Sequence, residues 1–523
     1  MRTISFDSTE FHPERALSER RLAELVGAAE AALPADPGVG AQFMSDIHGE
    51  AAAFDHLVRT ASGELGGFLG RALGGLADPG ELAALHMLLA YPDHPASRGL
   101  ADAADVDLEG AAGRLRAHCT GTFHLVGDLW DRGANGDDVV DVLMGVPGAD
   151  VQWGNHDICW MGAAAGDEVC IATCLRNNIK YGNVAQFEEG YGIDLGPLFA
   201  FAERAYGAGD ALSPVMKAIS AILFKCEGQA IARHPEWRMG ERLLWGAMDP
   251  AARTVPVYGV SCRLSTGDFP TWRPDDPYGL SSEERRLMDG FVGAFTSSAR
   301  LQRQVQWLYD NGGVYRVVEG DALLFHGCVP LAPDGSFAQV DCGDRRRSGR
   351  ELLDWVDGMC RRAWDERDPW ALDWMGQLWC GWQSTFAGRV VKTFERTYIE
   401  DKETWKEPED PYYALTREDA APCAAVLGEF GVDPERGVIV NGHTPVKLPK
   451  GERPVRGGGR RLVIDGGLCA AYRKTTGIAG YTLVREGSGA LRLVTHGEFP
   501  GLNAVLGGTA DVGHSGERVD AGR

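Results

Sequence analysis

The sequence predicts an α/β protein whose strands end in polar loops. The Phe-His-Leu-Val run at 123–126 stops directly before the loop Gly-Asp-Leu-Trp-Asp-Arg-Gly at 127–133, the pattern of a short buried strand that delivers charged side chains beyond its carboxyl end. Four further apolar runs end in the same way, before Asp, His or Asn. Segments with helical spacing separate the runs. We therefore expect five strand–loop units that meet at one edge of one sheet.

The composition excludes several classes of partner. The chain of 523 residues has a formal net charge of −22, which argues against nucleic acid and anionic membranes because phosphate groups need a basic surface. No stretch approaches the roughly eighteen apolar residues of a membrane span, and the N-terminal residues lack the apolar segment of a signal peptide. The twelve cysteines are scattered without a C-x-x-C pair, as is typical of reduced, buried thiols. We expect a cytoplasmic protein.

Changes in sequence character divide the chain. Helix formers dominate residues 1–34, which we expect to form an N-terminal helical extension. A main domain follows at 35–500, interrupted by a mostly helical insertion at 158–311 and a tryptophan-rich insertion at 346–429. Residues 501–523 are rich in Gly, Asp and Arg, which is typical of a disordered tail. The clearest helices are predicted at 168–180, 214–233 and 281–309, and a β-hairpin is predicted at 314–318 and 322–325.

The polar loops carry side chains that ligate metal ions. They are Asp46, His48, Asp128, Asn155, His326 and His443. One ion would take Asp46, His48 and Asp128, and the second would take Asp128, Asn155, His326 and His443. Asp128 is the candidate bridge because a carboxylate can share its two oxygens between two cations. Mixed nitrogen and oxygen ligands favour Mn, Fe or Zn over Ca or Mg.

Such a site predicts phosphoryl chemistry. Two ions about 3.5–4 Å apart hold a bridging water, lower its pKa and stabilise both sides of an in-line displacement. His156 follows a ligand directly and can act as general acid to the leaving alkoxide, oriented by a hydrogen bond that it donates to Asp131. Arg132 is placed to bind phosphate oxygens bidentately. Any one of these loops alone could equally carry solvated surface charges, but five in one chain favour a site.

The motifs resemble the metallophosphatase superfamily. They are Asp-Ile-His-Gly at 46–49, Gly-Asp-Leu-Trp-Asp-Arg-Gly at 127–133, Gly-Asn-His-Asp at 154–157, Phe-His-Gly at 325–327 and Gly-His at 442–443. Further phrases resemble the class III fructose-1,6-bisphosphatases of bacteria: Leu-Arg-Asn-Asn-Ile-Lys-Tyr-Gly at 175–182, Trp-Cys-Gly-Trp at 379–382, Asn-Gly-His-Thr-Pro-Val-Lys at 441–447 and Ile-Asp-Gly-Gly at 464–467. The resemblance runs from about residue 43 to residue 483.

The resemblance implies a fold, a reaction and partners. The fold is a metallophosphatase-type layered β-sandwich flanked by helices, in the order αββα. The reaction is hydrolysis of the C1 phosphate of fructose 1,6-bisphosphate to fructose 6-phosphate in gluconeogenesis, with two Mn²⁺ ions in the ligand sets above. The family is also regulated by small metabolites such as phosphoenolpyruvate and AMP, and we expect a homo-oligomer.

A bisphosphate needs a second anion-binding patch. The candidates are Arg176, Lys180, Lys392, Arg396, Arg473 and Lys474. Arg176 and Lys180 are four apart on a predicted helix and therefore lie on one face. Most of these charges could equally be solvated surface groups, so Arg176 and Lys180 are the favoured pair for the distal phosphate.

Two other readings share the five motifs. One is a metallophosphatase that acts on phosphoproteins or dinucleoside polyphosphates, which would lack the Trp-Cys-Gly-Trp and Asn-Gly-His-Thr-Pro-Val-Lys phrases. The other is a non-catalytic binding protein that keeps the fold. A non-catalytic protein of this kind would lack one or more of the ligand residues. In this sequence every predicted ligand is present, together with His156 and Arg132.

Overall fold

The computed structural model describes residues 11–34, 38–207 and 212–519. Its strands are β1 Val39–Met44, β2 Thr122–Leu125, β3 Asp150–Gln152, β4 Thr254–Val257, β5 Val260–Arg263, β6 Gly312–Gly313, β7 Tyr315–Val318, β8 Ala322–Phe325, β9 Val340–Asp341, β10 Arg346–Arg347, β11 Val438–Asn441, β12 Val455–Arg456, β13 Arg461–Val463, β14 Tyr481–Glu486, β15 Leu491–His496 and β16 His514–Val519.

The first eleven α-helices cover the N-terminal half of the chain. They are α1 Glu19–Ala31, α2 Ala51–Arg59, α3 Glu64–Leu73, α4 Pro79–Ala90, α5 Pro95–Ala104, α6 Leu108–Thr120, α7 Gly136–Met144, α8 Asn155–Ala165, α9 Glu168–Tyr181, α10 Gly196–Ala205 and α11 Pro214–Arg233. The remaining ones are α12 Leu244–Ala247, α13 Ser282–Ser297, α14 Ala299–Asn311, α15 Gly349–Asp365, α16 Pro369–Cys380, α17 Thr393–Tyr398, α18 Pro411–Glu418, α19 Ala420–Glu429, α20 Ala470–Thr476 and α21 Leu502–Leu506.

Two sheets form a sandwich. The seven-stranded sheet has the order β16-β15-β14-β1-β2-β3-β6, and the five-stranded sheet has the order β12-β13-β11-β8-β7. Each sheet has parallel strands at its centre, β1–β2–β3 in the first and β8–β11–β13 in the second. Antiparallel strands flank them, including the predicted hairpin of β7 and β8. The predicted mixed α/β sandwich is confirmed.

Side-chain alternation along the strands builds the layers. In β8, Ala322 and Leu324 face the core between the sheets, whereas Leu323 and Phe325 face the helices outside. The core between the sheets also contains Phe43 of β1. This period of two places one apolar face against the other sheet and one against helices, which is the αββα arrangement.

The helices outside the sandwich fall into two groups. α1 packs with α3–α6 in a separate apolar core, which we call the helical cluster, so the described part of the predicted N-terminal extension is one wall of a packed unit. The insertion at 158–311 is mostly helical but also contains the hairpin of β4 and β5. The tryptophan-rich insertion folds mainly as α15–α19.

Three expectations are wrong in detail. The helix predicted at 281–309 is divided into α13 and α14, because Ser298 leaves the helical conformation and its hydroxyl donates to the Tyr191 carbonyl at 2.7 Å. The predicted disordered tail is ordered at 501–519, where α21 packs on the helical cluster and β16 pairs with β15. Residues 1–10 and 520–523 lie outside the described residues. The third error is the expectation that all five strand–loop units belong to one sheet, and it is described with the candidate metal centre.

Two features bear on the cellular environment. Each of the twelve cysteines is a buried free thiol, as expected. Within the described ranges, no helix is both long and apolar enough to cross a bilayer.

Candidate metal centre

The predicted ligands lie at strand ends of both sheets. Asp46 and Asp128 follow β1 and β2, and Asn155 begins α8 after β3, all in the seven-stranded sheet. His326 and His443 follow β8 and β11 of the five-stranded sheet. The expectation of one edge of one sheet is therefore wrong. The strand-end pattern indicates where each side chain leaves its strand, but it does not indicate which sheet that strand joins.

The backbone at the site is strained. Asp46, His48, Asp128 and His443 have φ of 55°, 48°, 63° and 71°, in the left-handed region that side chains rarely adopt. Such conformations cost about 1–3 kcal/mol each and persist only where the surrounding structure enforces them. Four such residues, far apart in sequence, meet at this place, which favours a functional role for the loops that carry them.

Glycines beside the ligands allow close approach of the loops. A Cβ on Gly154 would lie 2.2 Å from Asp128 Oδ1, and a Cβ on Gly442 would lie 2.4 Å from Asp46 Oδ2. No side chain fits at these distances. The glycines of the motifs therefore bring carboxylates from one strand end against the backbone of another.

Two groups of metal-ligating side chains share Asp128. His48, Asp128 and His156 present ligand atoms within 4.8 Å of one another, and so do Asp128, His326 and His443. Asp128 Oδ2 lies 3.6 Å from His48 Nε2 and 3.3 Å from His326 Nε2. This sharing fits the bridging role predicted for Asp128.

Asp46 and Asn155 stand at the margins of these groups. Asp46 Oδ1 lies 3.7 Å from His48 Nε2, and the Asp46 carboxylate accepts the backbone N–H of His443 at 3.0 Å. Asn155 Oδ1 lies 3.0 Å from His443 Nδ1. The first group thus contains His156 where we expected Asp46, and the assignment of Asp46 and Asn155 as ligands stays a prediction.

Hydrogen bonds orient the imidazoles toward the shared space. His48 Nδ1 donates to the Trp130 carbonyl at 3.0 Å and His326 Nδ1 to the Val126 carbonyl at 2.8 Å, so each ring directs Nε2 inward. Within the described residues, the buried Nε2 of His443 has no hydrogen-bond partner, and that of His326 faces only the Asp128 carboxylate, at 3.3 Å. A ring nitrogen without a partner close to a carboxylate fits a bound cation.

The electrostatics favour positive charge in this space. Burial raises the pKa of Asp46 to about 6. Burial alone would lower the pKa of His326, but the carboxylates of Asp128 and Asp46 outweigh it and raise that pKa to about 10. Burial lowers the pKa of His48 and of His443, which keeps both rings in the neutral form that binds metals.

His156 and Asp131 form the predicted hydrogen-bonded pair. His156 Nδ1 donates to Asp131 Oδ2 at 2.7 Å, and the His156 ring lies 5.1 Å from that of His48. Burial opposes ionisation of Asp131, but hydrogen bonds from His156, Trp160 and Asn178 outweigh it and lower the pKa of this carboxyl. Asp131 is therefore a fixed anion that orients the imidazole.

Arg132 contacts one of the candidate metal ligands, His48, directly. Its NH1 donates to His48 Nε2 at 2.6 Å, and its guanidinium lies 4.6 Å from the centre of the Tyr472 ring. The stacking on Tyr472 holds the planar guanidinium beside the ligand groups, where it can bind an anionic substrate.

The structure separates the six candidates for the second phosphate. Arg176 is buried and donates to Ser220 Oγ and Thr397 Oγ1, and Lys392 is buried with Tyr258 and Glu395. Arg473 pairs with Glu498, and Lys474 is exposed on α20. Long cationic side chains look alike in sequence whether they are buried or solvated, so the pattern could not distinguish these cases.

Lys180 and Arg396 remain beside the site. Burial lowers the pKa of Lys180, and the charges of Arg176, Arg396 and Arg132 lower it further. Arg396 Nε lies 3.1 Å from Glu407 and is half exposed. Lys180 of α9 thus lies within the electrostatic range of both Arg396 of α17 and Arg132.

Sequence reasoning missed residues that surround the predicted ones. Asp465 follows β13 and is 1% exposed, its Oδ2 has no hydrogen-bond partner within the described residues, and burial together with the Asp46 charge raises its pKa. The Val-Ile-Asp-Gly-Gly run at 463–467 has the same strand–loop pattern and could have identified it. The Trp379 ring lies 4.9 Å from His156, and only proximity in space reveals this contact.

Comparisons with known proteins bear on the same residues. A family model described as Firmicute fructose-1,6-bisphosphatase matches residues 101–521. Proteins named fructose-1,6-bisphosphatase class 3 from Clostridium botulinum and Clostridium tetani are 39% and 40% identical over 409 and 415 residues. The alignments cover 73% and 75% of this chain and 61% and 62% of those proteins, so the chain spans about three fifths of the length of the relatives it matches. No solved structure matches.

Proposed function

The chain belongs to the Firmicute fructose-1,6-bisphosphatase family, and on that premise we propose that it hydrolyses the C1 phosphate of fructose 1,6-bisphosphate to fructose 6-phosphate and phosphate. The observation that carries the proposal is the pair of ligand groups that share Asp128, next to the His156–Asp131 pair. The reaction belongs to gluconeogenesis.

The ligand groups suit two divalent cations. His48, Asp128, His326 and His443 would hold them, with Asp46 and Asn155 as the remaining predicted ligands. The chemistry that such ions supply when bound is Lewis acidity toward phosphoryl oxygens and a lowered pKa for water. We propose Mn²⁺ as the native metal, with Fe or Zn as alternatives, because the groups combine carboxylate, amide and imidazole ligands.

Three residues act on the substrate directly or through a neighbour. His156 gives a proton to the leaving C1 oxygen. Asp131 holds the His156 ring through the 2.7 Å hydrogen bond and balances the charge of its protonated form. Arg132 binds phosphoryl oxygens, since its guanidinium is held between Tyr472 and the ligand groups.

Lys180 and Arg396 bind the phosphate that is not hydrolysed. The charges of Arg396 and Arg132 both act on Lys180, and a bound dianion would relieve this repulsion. Arg176 then acts as a positioning residue, because its hydrogen bond to Thr397 connects α9 to α17. This assignment gives each phosphate of a bisphosphate its own cationic partners.

The family premise extends to the cellular setting. We propose a cytoplasmic homo-oligomer regulated by phosphoenolpyruvate and AMP, in which the sandwich is the catalytic domain and the helical and tryptophan-rich segments are insertions. The twelve free thiols support a reducing compartment.

A phosphate-release panel tests the proposal. Protein supplied with Mn²⁺ is given fructose 1,6-bisphosphate, fructose 6-phosphate, a phosphopeptide, a diadenosine polyphosphate and an aryl phosphate. We expect selective turnover of the bisphosphate that falls about 10²–10⁴-fold in His156→Ala and is unchanged in His12→Ala, an exposed histidine elsewhere. Preference for the phosphopeptide or dinucleotide would refute the substrate, and no turnover with any metal would favour the non-catalytic reading.

A further inference from the structure

One buried side chain joins the loops that follow β8 and β11. Asn441 is the last residue of β11, directly before the loop of His443, and it is fully buried. Its side-chain nitrogen donates to the Phe325 carbonyl at 2.8 Å and to the Gly327 carbonyl at 3.5 Å. Those two carbonyls flank His326, so a single amide group connects the backbone segments that carry both imidazoles.

The spacing of these two loops matters for metal binding. The Gly442 N–H donates to the His326 carbonyl at 3.2 Å, and the ring centres of His326 and His443 are 5.2 Å apart. Both rings belong to the ligand group that contains Asp128. Metal–ligand distances tolerate deviations of only about 0.2 Å, so the separation of the loops decides whether both imidazoles reach the same ion.

Two donors fix the orientation of the Asn441 amide. Its Oδ1 accepts from Tyr412 Oη at 2.8 Å and from Arg461 Nε at 2.9 Å. Arginine has donors and no acceptor, so the amide atom that faces Arg461 must be the oxygen. The NH₂ group therefore points to the carbonyls on both sides of His326, and a turn of the amide by 180° would set its N–H groups against those of Arg461.

The arginine that fixes the amide is buried among neutral groups. Within the described residues, its NH1 donates to Thr416 Oγ1 at 2.7 Å, and its guanidinium lies 4.7 Å from the centre of the Tyr412 ring and 5.5 Å from that of Tyr413. Its NH2 has no hydrogen-bond partner there. Burial of a charge without a carboxylate costs stability. The presence of Arg461 at this place therefore favours a role in holding Asn441 over a role in stability.

We propose that Asn441 is a positioning residue that sets the separation of His326 and His443, and with it the affinity for the ion that these imidazoles bind. Arg461 and Tyr412 act through Asn441, because they hold its amide in the orientation that joins the loops. This inference rests on the two-metal centre of the proposed function. Since Tyr412 lies on α18, the tryptophan-rich insertion takes part in shaping that centre.

Asn441→Asp tests the amide with the smallest change of shape. One carboxylate oxygen still accepts from Tyr412 and Arg461, and the nearby guanidinium lowers the pKa of the new carboxyl group, so that it stays ionised. The other oxygen has no proton to donate and faces the carbonyl oxygens of Phe325 and Gly327. We expect the two loops to move apart.

The measurement is a Mn²⁺ titration of the full chain without substrate, in which electron paramagnetic resonance reports the free ion. We expect the wild type to bind two ions. Asn441→Asp should bind one of them about 10–100-fold more weakly, while the ion held by His48 keeps its affinity. Tyr412→Phe keeps the ring beside Arg461 and removes only the hydroxyl, so it should weaken the same ion by about 2–10-fold.

Gln42→Met is the matched control. The Gln42 amide is also buried, and it joins the carbonyls of Ala61 and Cys119 outside the metal centre. Loss of this amide should lower the midpoint of thermal unfolding and leave both Mn²⁺ affinities unchanged. The control therefore separates a general loss of stability from a change in the spacing of the two imidazoles.

Three results would overturn the proposal. The first is equal Mn²⁺ affinity in the wild type, Asn441→Asp and Tyr412→Phe. The second is an equal weakening in Gln42→Met, because a general loss of stability would then explain the effect. The third is a wild type that binds fewer than two ions, which would also overturn the proposed metal centre. If the affinities change as expected but fructose 1,6-bisphosphate is not hydrolysed, only the substrate assignment is wrong.

Discussion

The substitution Asp131→Asn isolates the orientation of the proposed acid. Each carboxylate oxygen of Asp131 accepts two N–H donors: Oδ1 accepts from Trp160 and Asn178, and Oδ2 from His156 and Asn177. An amide of the same shape has one oxygen, so in either orientation its NH₂ group faces a pair of donors. The charge that stabilises protonated His156 is also lost.

The expected magnitude follows from the contact that is broken. A hydrogen bond to a charged group contributes about 1.5–3 kcal/mol. At about 1.4 kcal/mol per tenfold change in rate, kcat for fructose 1,6-bisphosphate should fall about 10–200-fold. The control is Asp150→Asn, which alters a second buried His–Asp pair, where Asp150 Oδ2 lies 2.8 Å from His124 Nδ1. That variant should keep kcat within about threefold, because a substitution away from the candidate metal centre alters the stability of the protein more than the rate of the reaction.

The assay compares two leaving groups. An alkoxide needs a proton from His156, whereas a nitrophenolate leaves without one, so Asp131→Asn should spare hydrolysis of the aryl phosphate. An equal loss of kcat on both substrates would refute the acid role and would instead favour His156 as a metal ligand, a role that its contact with His48 and Asp128 also allows.

Three further predictions concern the metal centre and stability. Gly154→Ala should abolish metal binding while leaving the circular dichroism spectrum unchanged, because its Cβ would lie 2.2 Å from Asp128 Oδ1; tight binding in this variant would contradict the geometry. Chelation should remove activity, and His326→Ala should raise the metal concentration needed to restore it by at least about tenfold, with Mn²⁺ titration as the measurement. Burial lowers the pKa of His86 from 6.5 to about 4, so the unfolded chain binds a proton that the folded chain excludes. The contribution of neutral His86 to the free energy of unfolding is therefore fully present above about pH 6.5, and about 3 kcal/mol of it is lost as the pH drops to about 4. In urea unfolding experiments, His86→Gln should make the free energy of unfolding decline less over this pH range.

Local signals in the sequence correctly predicted that the candidate site residues follow strands. Asp46, Asp128 and His326 each follow an apolar run, and that pattern depends only on neighbouring residues. The assignment of strands to two sheets depends on pairing between distant segments, such as β8 with β11, and no local pattern carries it. Residue patterns therefore predicted the order of the elements, whereas the layered arrangement was implied only by the family resemblance.

Composition misled the prediction of the tail. The β16 residues His-Ser-Gly-Glu-Arg-Val have little apolar surface, so they look unable to fold. Their order comes from backbone hydrogen bonds to β15, and backbone groups are the same in every sequence. The prediction that Lys392 is a candidate for the second phosphate met the opposite difficulty. Its charge looks solvated in the sequence, but the side chain is buried and contacts Tyr258 and Glu395.

The path of the chain through the sandwich has a consequence for synthesis on the ribosome. β1 pairs with β14 in the register Val39↔Glu486, so the partner strand emerges roughly 450 residues later. At about 5–20 residues per second, one edge of β1 waits roughly 20–90 s for its neighbour. An unpaired edge can join the same edge of another nascent chain on a crowded polysome. Helix α6, which contacts β1 and is complete long before β14, is available to shield β1 during that interval.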